Sequence, residues 1–319
     1  MTHDAVLLMA YGGPQRLAQV EAYYTDIRHG NPPPPALLEE LLGRYRAIGG
    51  ASPLSGIVER QRAGLQRELA ERGMALSVYA GMRHIEPRIG QVVAQMAADG
   101  AERLVAIALA PQRSTSTAGY REAVERAIAA LGTAAPWPLF VESWHDQPRF
   151  IAALATATAE ALARFPDPTR VPVLFTAHSL PSRVVAEGDR YPHEVARTAG
   201  LVAAQLGLAR HSVAFQSAGR TDEPWLGPEI RDEIRRLAAA GVTDLVVCPV
   251  GFVADHLEVL YDIDIEARAV AAEVGVRLER ARSMNDDPVF IAGLADLVVD
   301  ALAGPPHLRS APARPRDSQ

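Results

Sequence analysis

One cysteine, Cys248, stands in 319 residues. A single thiol excludes a disulfide framework within the chain. It equally excludes an iron–sulfur or zinc site built only from the chain's own cysteines. Its place in an apolar run marks it as a small core side chain. No stretch reaches the roughly 18 apolar residues that a membrane-spanning helix needs. No basic segment precedes the first apolar run, as a secretory leader would require, so a cytoplasmic protein is expected. No dense basic run appears: Lys and Arg total 32 against 38 Asp and Glu, a net charge of −6 with an isoelectric point near 5.9. Three Trp and seven Phe are not interleaved with basic residues. These absences argue against a nucleic-acid partner. The first strand is followed by no G-x-G-x-x-G fingerprint and no ribose-binding acid, which argues against a dinucleotide cofactor.

What is present is the profile of a soluble globular α/β protein, with 48% hydrophobic and 22% charged residues. The length can bury the cores of two ordinary domains. Short apolar runs at 5–10, 75–82, 104–110, 139–142, 171–178, 212–216 and 246–248 read as strands, and 277–281 reads as a last strand. Amphipathic stretches at 55–72, 89–98, 119–131, 149–163, 191–206, 229–240 and 289–303 read as helices, and a further helix is expected from the strand at 246–248 to about 274. Strand and helix alternate at a spacing that signals βαβ units and parallel sheets. The second half repeats the order of the first. The expected organisation is therefore two Rossmann-like halves, 1–138 and 139–303, with a cleft between their carboxyl edges and the last helix able to pack back on the first half. Residues 304–319, rich in Pro and Arg, read as a disordered tail.

Two strand tips carry the candidate chemistry. The run from Val246 breaks at Pro249 and Gly251, and then carries His256, Glu258, Asp262 and Glu266. On an α-helix, Glu258, Asp262 and Glu266 form one acidic stripe, which repels itself unless something positive lies beside it. The other strand ends Thr176-Ala-His178-Ser-Leu-Pro181. If the two strands share a parallel sheet, His178 and Glu258 can face each other across its carboxyl edge, where open α/β folds bind ligands. An imidazole and a carboxylate suit a first-row divalent metal or removal of a substrate proton.

The first half adds an excursion, about 15–54, before the chain returns to the sheet. It carries Tyr23, Tyr24, Tyr45, Arg28, Arg44 and Ser52 around the stiff run 30–35. It reads as a lid or ligand wall over the tip of the first strand, where Tyr11 precedes Gly12, Gly13 and Pro14. Arg28 and Arg44 can answer carboxylates on a ligand. Gln112 and Ser114 lie on the polar exit of the 104–110 strand, and Trp225 lies in a loop rich in Gly and Pro.

Eight stretches share an order and spacing: Leu-Met-Ala-Tyr-Gly-Gly-Pro at 8–14, Tyr-Tyr-Thr-Asp-Ile-Arg at 23–28, Arg-Tyr-Arg-Ala-Ile-Gly-Gly-Ala-Ser-Pro-Leu at 44–54, Gly-Met-Arg-His-Ile-Glu-Pro at 81–87, Thr-Ala-His-Ser-Leu-Pro at 176–181, Gln-Ser-Ala-Gly-Arg-Thr at 216–221, Pro-Trp-Leu-Gly-Pro at 224–228 and Asp-His-Leu-Glu at 255–258. In these the chain resembles the ferrochelatase family, and within it the bacterial branch that uses coproporphyrin III. The resemblance implies two Rossmann-like halves around a porphyrin cleft, and insertion of ferrous iron with release of two pyrrole protons. It implies His178 and Glu258 as the catalytic and metal-site pair, with Asp262 and Glu266 as a secondary acidic path. It places Tyr11 near the product's iron and Arg28 and Ser52 near the substrate carboxylates. Arg44, Tyr45, Gln112, Ser114 and Trp225 are the further porphyrin-facing expectations. Iron is then substrate, with no cofactor and no iron–sulfur cluster. A monomer is expected, handing its product to the next enzyme of the haem pathway.

One position departs from the branch, which usually reads Ala-Pro-His where this chain reads Ala-Pro-Gln, with Gln112. A glutamine cannot accept a proton near neutral pH. Two alternatives stay open on sequence: a chelatase for protoporphyrin IX or another metal–tetrapyrrole pair, and a non-catalytic carrier of iron coproporphyrin.

Overall fold

The computed structural model describes residues 3–219 and 221–304. The expected tail lies outside the described residues from 305 onward. The chain order is β1 (Asp4–Ala10), α1 (Val20–Ile27), α2 (Pro35–Ala47), α3 (Leu54–Glu71), β2 (Ser77–Met82), α4 (Ile89–Ala98), β3 (Arg103–Ala108), α5 (Thr115–Leu131) and β4 (Trp137–Val141). Then come α6 (Pro148–Leu162), β5 (Val173–His178), α7 (Arg183–Ala186), α8 (Tyr191–Leu206), β6 (His211–Gln216), α9 (Ile230–Ala239), β7 (Asp244–Cys248) and α10 (Leu257–Leu260). A π-helical turn (Asp262–Ala267), α11 (Arg268–Glu273), β8 (Arg277–Arg280) and α12 (Pro288–Ala303) complete it.

The strands form two four-stranded sheets, ordered β2-β1-β3-β4 and β6-β5-β7-β8, with every pair parallel. Parallel sheets carry helices on both faces, so their strands are continuous apolar runs rather than alternating ones. Val6, Leu7 and Leu8 of β1 and Val246, Val247 and Cys248 of β7 are fully buried for this reason.

One core cluster runs through both halves. It joins Val6, Leu65 and Val105 of the first half to Phe175, Val195 and Val246 of the second through Phe150, Leu154, Phe290 and Leu294 of α6 and α12. Trp144, Phe150 and Phe290 stack there with centroids 5.1–6.2 Å apart. Asp296 of α12 pairs with Arg72 of α3 at 2.8 Å and with Arg149 of α6 at 2.9 Å. The last helix therefore touches α3 as well as α6, which fixes how the two sheet edges face each other.

Three local features differ from the sequence expectation. Helix α5 starts at Thr115, four residues early, because Ser114 Oγ accepts the Thr117 amide at 3.2 Å and caps it. The short α7 follows Ser-Leu-Pro directly. The stretch from Leu257 to Glu273 is not one α-helix: α10 gives way to the π turn, with the Glu266 amide donating to the Tyr261 carbonyl five residues back at 2.9 Å. Such wide turns are rare and occur mostly at functional sites. An α-helix drifts by about 40° over each four-residue step. A wider turn reduces that drift and keeps Asp262 and Glu266 closer to one line.

Candidate active site

The carboxyl ends of β1, β3, β5 and β7 open onto a cavity of about 520 Å³, lined by Ala10, Leu109, Ala110, His178 and Val253 among others. Strands that stop at one level leave their following loops to shape this space. Two close approaches shape its rim. A Cβ on Gly13 would lie 2.7 Å from Ser52 Oγ, and one on Gly251 would lie 2.6 Å from the Ala177 Cβ. Only glycine lets Ser52 fold onto the β1 exit, and only glycine lets the β7 exit lie against the strand that ends in His178.

Because β5 and β7 are neighbours in one sheet, their exits meet. His178 Nε2 stands 3.6 Å from Glu258 Oε1. The other ring nitrogen of His178 is bonded to the Ser179 carbonyl, which can only accept. Nδ1 therefore carries the hydrogen, and Nε2 of the neutral ring presents a lone pair. His256 repeats the arrangement from the other side: its Nδ1 faces the Ala254 carbonyl at 2.9 Å and its Nε2 faces Glu258 Oε2 at 3.4 Å. It stacks on Phe252 with centroids 4.9 Å apart. One carboxylate thus lies between two imidazoles. Burial alone would raise Glu258, but His178, His256 and Arg44 overcome it and hold the carboxyl down at about 2. Burial opposes protonation of His256, but the bond to Glu258, the charges of Glu258 and Asp262 and the Ala254 carbonyl together outweigh it and raise it. Gln216 steadies the turn by donating to the Glu258 carbonyl at 2.7 Å, and Tyr191 donates to the His178 carbonyl at 3.0 Å.

The acidic row has its positive neighbours. Arg44 of α2 lies 3.5 Å from Asp262 Oδ1, Arg231 lies 3.9 Å from Glu266, and Arg280 pairs with Asp264 at 2.8 Å. Ser217 donates to Asp262 Oδ2. Burial still pushes Asp262 up to about 6, with repulsion from Glu258 and Glu266 adding to it and Ser217 and Arg44 opposing it.

Phenols recur through the rest of the lining. Tyr11, Tyr23, Tyr45 and Tyr120 line the cavity from the first half. Burial, followed by the charge of Glu258, lifts Tyr11 to about 12, and burial raises the other three phenols. All four are neutral near pH 7. Tyr11 stacks on His84 at 4.3 Å, and Asp26 holds the His84 Nδ1 at 2.7 Å.

Of the residues singled out in the sequence, Tyr11, Tyr45, Ser52, Gln112, Ser114, His178, Trp225 and Glu258 line the cavity. Gln112 is buried, and its amide nitrogen donates to the Val250 carbonyl at 3.1 Å and the Thr198 hydroxyl at 3.2 Å, tying the β3 exit to the second half. Trp225 donates to Thr221 at 2.9 Å. Arg28 ends α1 outside the lining, with its guanidinium 5.8 Å from the Tyr24 ring and its Nε buried without a partner. Arg44 also lies outside it, over Tyr261 at 5.0 Å and against Glu40 and Asp262. Asp262 and Glu266 continue away from the cavity along the π turn. The sequence puts His256 on the same strand-tip run as Glu258, two places before it, but assigns it no role in the site. The backbone at His256 is extended, and that is what lets both side chains converge. Gln61, Tyr120 and Tyr191 carried no sequence signal beyond their helical spacing. Among the described residues no group of three or more His, Cys, Asp or Glu is placed to hold a metal ion.

The ferrochelatase family model matches residues 3–302. The chain belongs to the ferrochelatase family. The ferrochelatase of Thermus thermophilus is 47% identical over 315 residues, covering 92% of this chain and 98% of the relative. The coproporphyrin III ferrochelatase of Geobacillus kaustophilus is 43% identical over 300 residues, covering 92% and 94%. Among solved structures, SirB from Bacillus subtilis with Fe3+ superposes with a TM-score of 0.60 at 12% identity, covering 95% of this chain and 96% of that one. At that identity the likeness is one of fold, the two-lobed chelatase architecture of paired parallel sheets.

Proposed function

We propose that this ferrochelatase inserts ferrous iron into coproporphyrin III, giving iron coproporphyrin III and two protons. The observation that carries the reading is the 3.6 Å approach of His178 Nε2 to Glu258 Oε1 on the wall of a cavity whose lining, among the described residues, holds no other carboxylate. The identity to relatives named coproporphyrin III ferrochelatase over more than nine-tenths of the chain supports the choice of porphyrin.

Aqueous Fe²⁺ must shed water and enter a planar ring whose centre holds two N–H protons. One ferrous ion enters and two protons leave, so the ring gains no charge. The Nε2 lone pair of His178 meets the ring centre as base or transient iron ligand, and ionised Glu258 is its partner. Glu258 at about 2 is by itself a weak base, and His256 beside it, raised above its ordinary value, is the better placed of the two to hold a proton. Asp262, poised at about 6, takes up and releases protons in that range. Ser217, on the cavity lining, joins it to the site, and Glu266 follows it along the π turn. Tyr11, Tyr45 and Trp225 hold the macrocycle, and binding energy there supplies the distortion that exposes the ring nitrogens. Ser52 and the unpartnered Nε of Arg28 answer the propionates. Arg44 reaches a propionate only by exchanging Asp262 for it.

From the sequence alone we take the protein to be cytoplasmic and monomeric, passing its product to the next haem-pathway enzyme. Among the described residues no helix is long and apolar enough to cross a membrane.

Anaerobic mixing with Fe²⁺ and either coproporphyrin III or protoporphyrin IX, followed by absorption, tests the reading. The expected result is metallation of coproporphyrin III well ahead of protoporphyrin IX. Preference for protoporphyrin would overturn the substrate. Binding of either ring without metal uptake would replace the enzyme with a carrier.

A further inference from the structure

A largely covered arginine that does not line the cavity touches the segment carrying the site. Arg280 ends β8 with its side chain 14% exposed. Its Nε and Nη2 donate to Asp264 Oδ1 and Oδ2 at 2.8 and 2.9 Å, a bidentate pair. Its Nη1 lies 3.2 Å from Asp255 Oδ1. Asp255 directly precedes His256, and Asp264 lies in the π turn between Asp262 and Glu266. One guanidinium thus grips both ends of the stretch that bears His256, Glu258 and Asp262.

The Asp255 end is anchored further. Its carboxylate accepts from Ser283 Oγ at 2.7 Å and from Asn285 Nδ2 at 2.9 Å, and its amide donates to Asn285 Oδ1 at 2.9 Å. Asn285 adopts a left-handed backbone, φ 46°, and its carbonyl accepts from Gln61 of α3 at 2.7 Å. This polar chain runs from the cavity wall at Gln61 to the π turn. A four-residue helix followed by a wide turn has few hydrogen bonds of its own to fix its phase. The direction of Glu258 then depends on what holds Asp255 and Asp264. A lysine ammonium is a point charge and cannot span two carboxylates in the fixed fork that a guanidinium presents.

We propose that Arg280 is a positioning residue for metal insertion, pinning the π turn so that Glu258 faces His178 and Asp262 faces Ser217. The inference rests on the iron-insertion reading above. The test compares wild type with Arg280→Lys by three readouts: kcat for Fe²⁺ insertion, coproporphyrin III binding by fluorescence quenching, and amide hydrogen exchange over residues 257–267. The expected result is a kcat at least tenfold lower, porphyrin affinity within threefold of wild type, and exchange at least tenfold faster in that stretch alone. A kcat within twofold of wild type overturns the proposal. So does unchanged exchange, or exchange accelerated equally throughout the chain. If Arg280→Lys does not fold, Asp264→Asn removes the bidentate anchor and is held to the same criteria. A wild-type protein that leaves the porphyrin unmetallated overturns the functional reading instead, and the exchange measurement then decides by itself whether Arg280 holds the turn.

Discussion

Both halves of the molecule lay four parallel strands in one order, and their carboxyl edges carry different chemistry. At corresponding positions, β1 exits into Tyr11 where β5 ends in His178. The β3 exit carries Gln112 and Ser114, where the β7 exit leads to His256 and Glu258. The first edge is phenolic and uncharged near neutral pH; the second holds a carboxylate between two imidazoles. The two edges also differ in backbone. The first returns through three ordinary α-helices, α1, α2 and α3, before rejoining the sheet. The second passes through a four-residue helix and a π turn held by Arg280. A shared scaffold fixes where loops meet, and in the proposed reading the loops divide the labour: the first half, joined by Trp225 of the second, holds the ring, and the second half handles metal and protons.

That division can be broken in graded ways. The largest effect is expected for Glu258→Gln, which removes the carboxylate and keeps its shape. Insertion should fall by roughly 10²- to 10⁴-fold, with coproporphyrin III binding little changed in a fluorescence titration. A matching loss of binding would mean that the second edge also grips the ring.

Next is Asp262→Asn, read through stability. The folded value of about 6 lies above the ordinary carboxylate value of 3.8, so the native state holds this proton more tightly than the unfolded chain does. The resulting stabilisation is complete below about pH 4 and is lost as pH rises through 6, where the buried charge costs about 3 kcal/mol. The asparagine variant should therefore be more stable than wild type at pH 8 by up to that amount, and equal to it near pH 4. Urea unfolding at the two pH values checks this; a variant less stable at pH 8 would show that Arg44 and Ser217 more than offset the burial.

A smaller loss is expected for Gln112→Ala, which cuts the tie between the edges and leaves the Val250 carbonyl without its donor. The cost should be about 1–2 kcal/mol in unfolding free energy. Tyr11→Leu should act least. Losing the ring should weaken coproporphyrin III binding by roughly two- to tenfold, with kcat changing less than the affinity. A collapse of kcat in this variant would place chemistry on the phenolic edge.

Much of this contrast was legible in the sequence. The apolar runs and their spacing predict parallel sheets, since only strands buried on both faces need such runs. The correspondence of the strand that leads into Tyr11 with the one that ends in His178 follows from the repeated order, and the meeting of His178 with Glu258 from their strands sharing a sheet. Other features were hidden. The π turn was invisible because its spacing of Glu258, Asp262 and Glu266 is also that of an α-helix face, and only the hydrogen-bond register separates the two. Arg44 read as a ligand donor because sequence shows its charge but not Asp262, more than 200 positions away, that engages it. Arg280 drew no notice for the same reason: its partners Asp255 and Asp264 become neighbours only when β8 lies beside β7. The early start of α5 at Thr115 was readable in principle, since Ser114 is a favoured capping residue.

The central claim is that one edge binds and the other reacts, and His178→Ala separates the two. The variant would be titrated with coproporphyrin III and then given Fe²⁺ anaerobically, with fluorescence and absorption followed on the same sample. The account predicts near wild-type porphyrin binding, a native circular dichroism spectrum, and no metallation on the time scale of wild-type turnover. Near-normal turnover in that sample would contradict it.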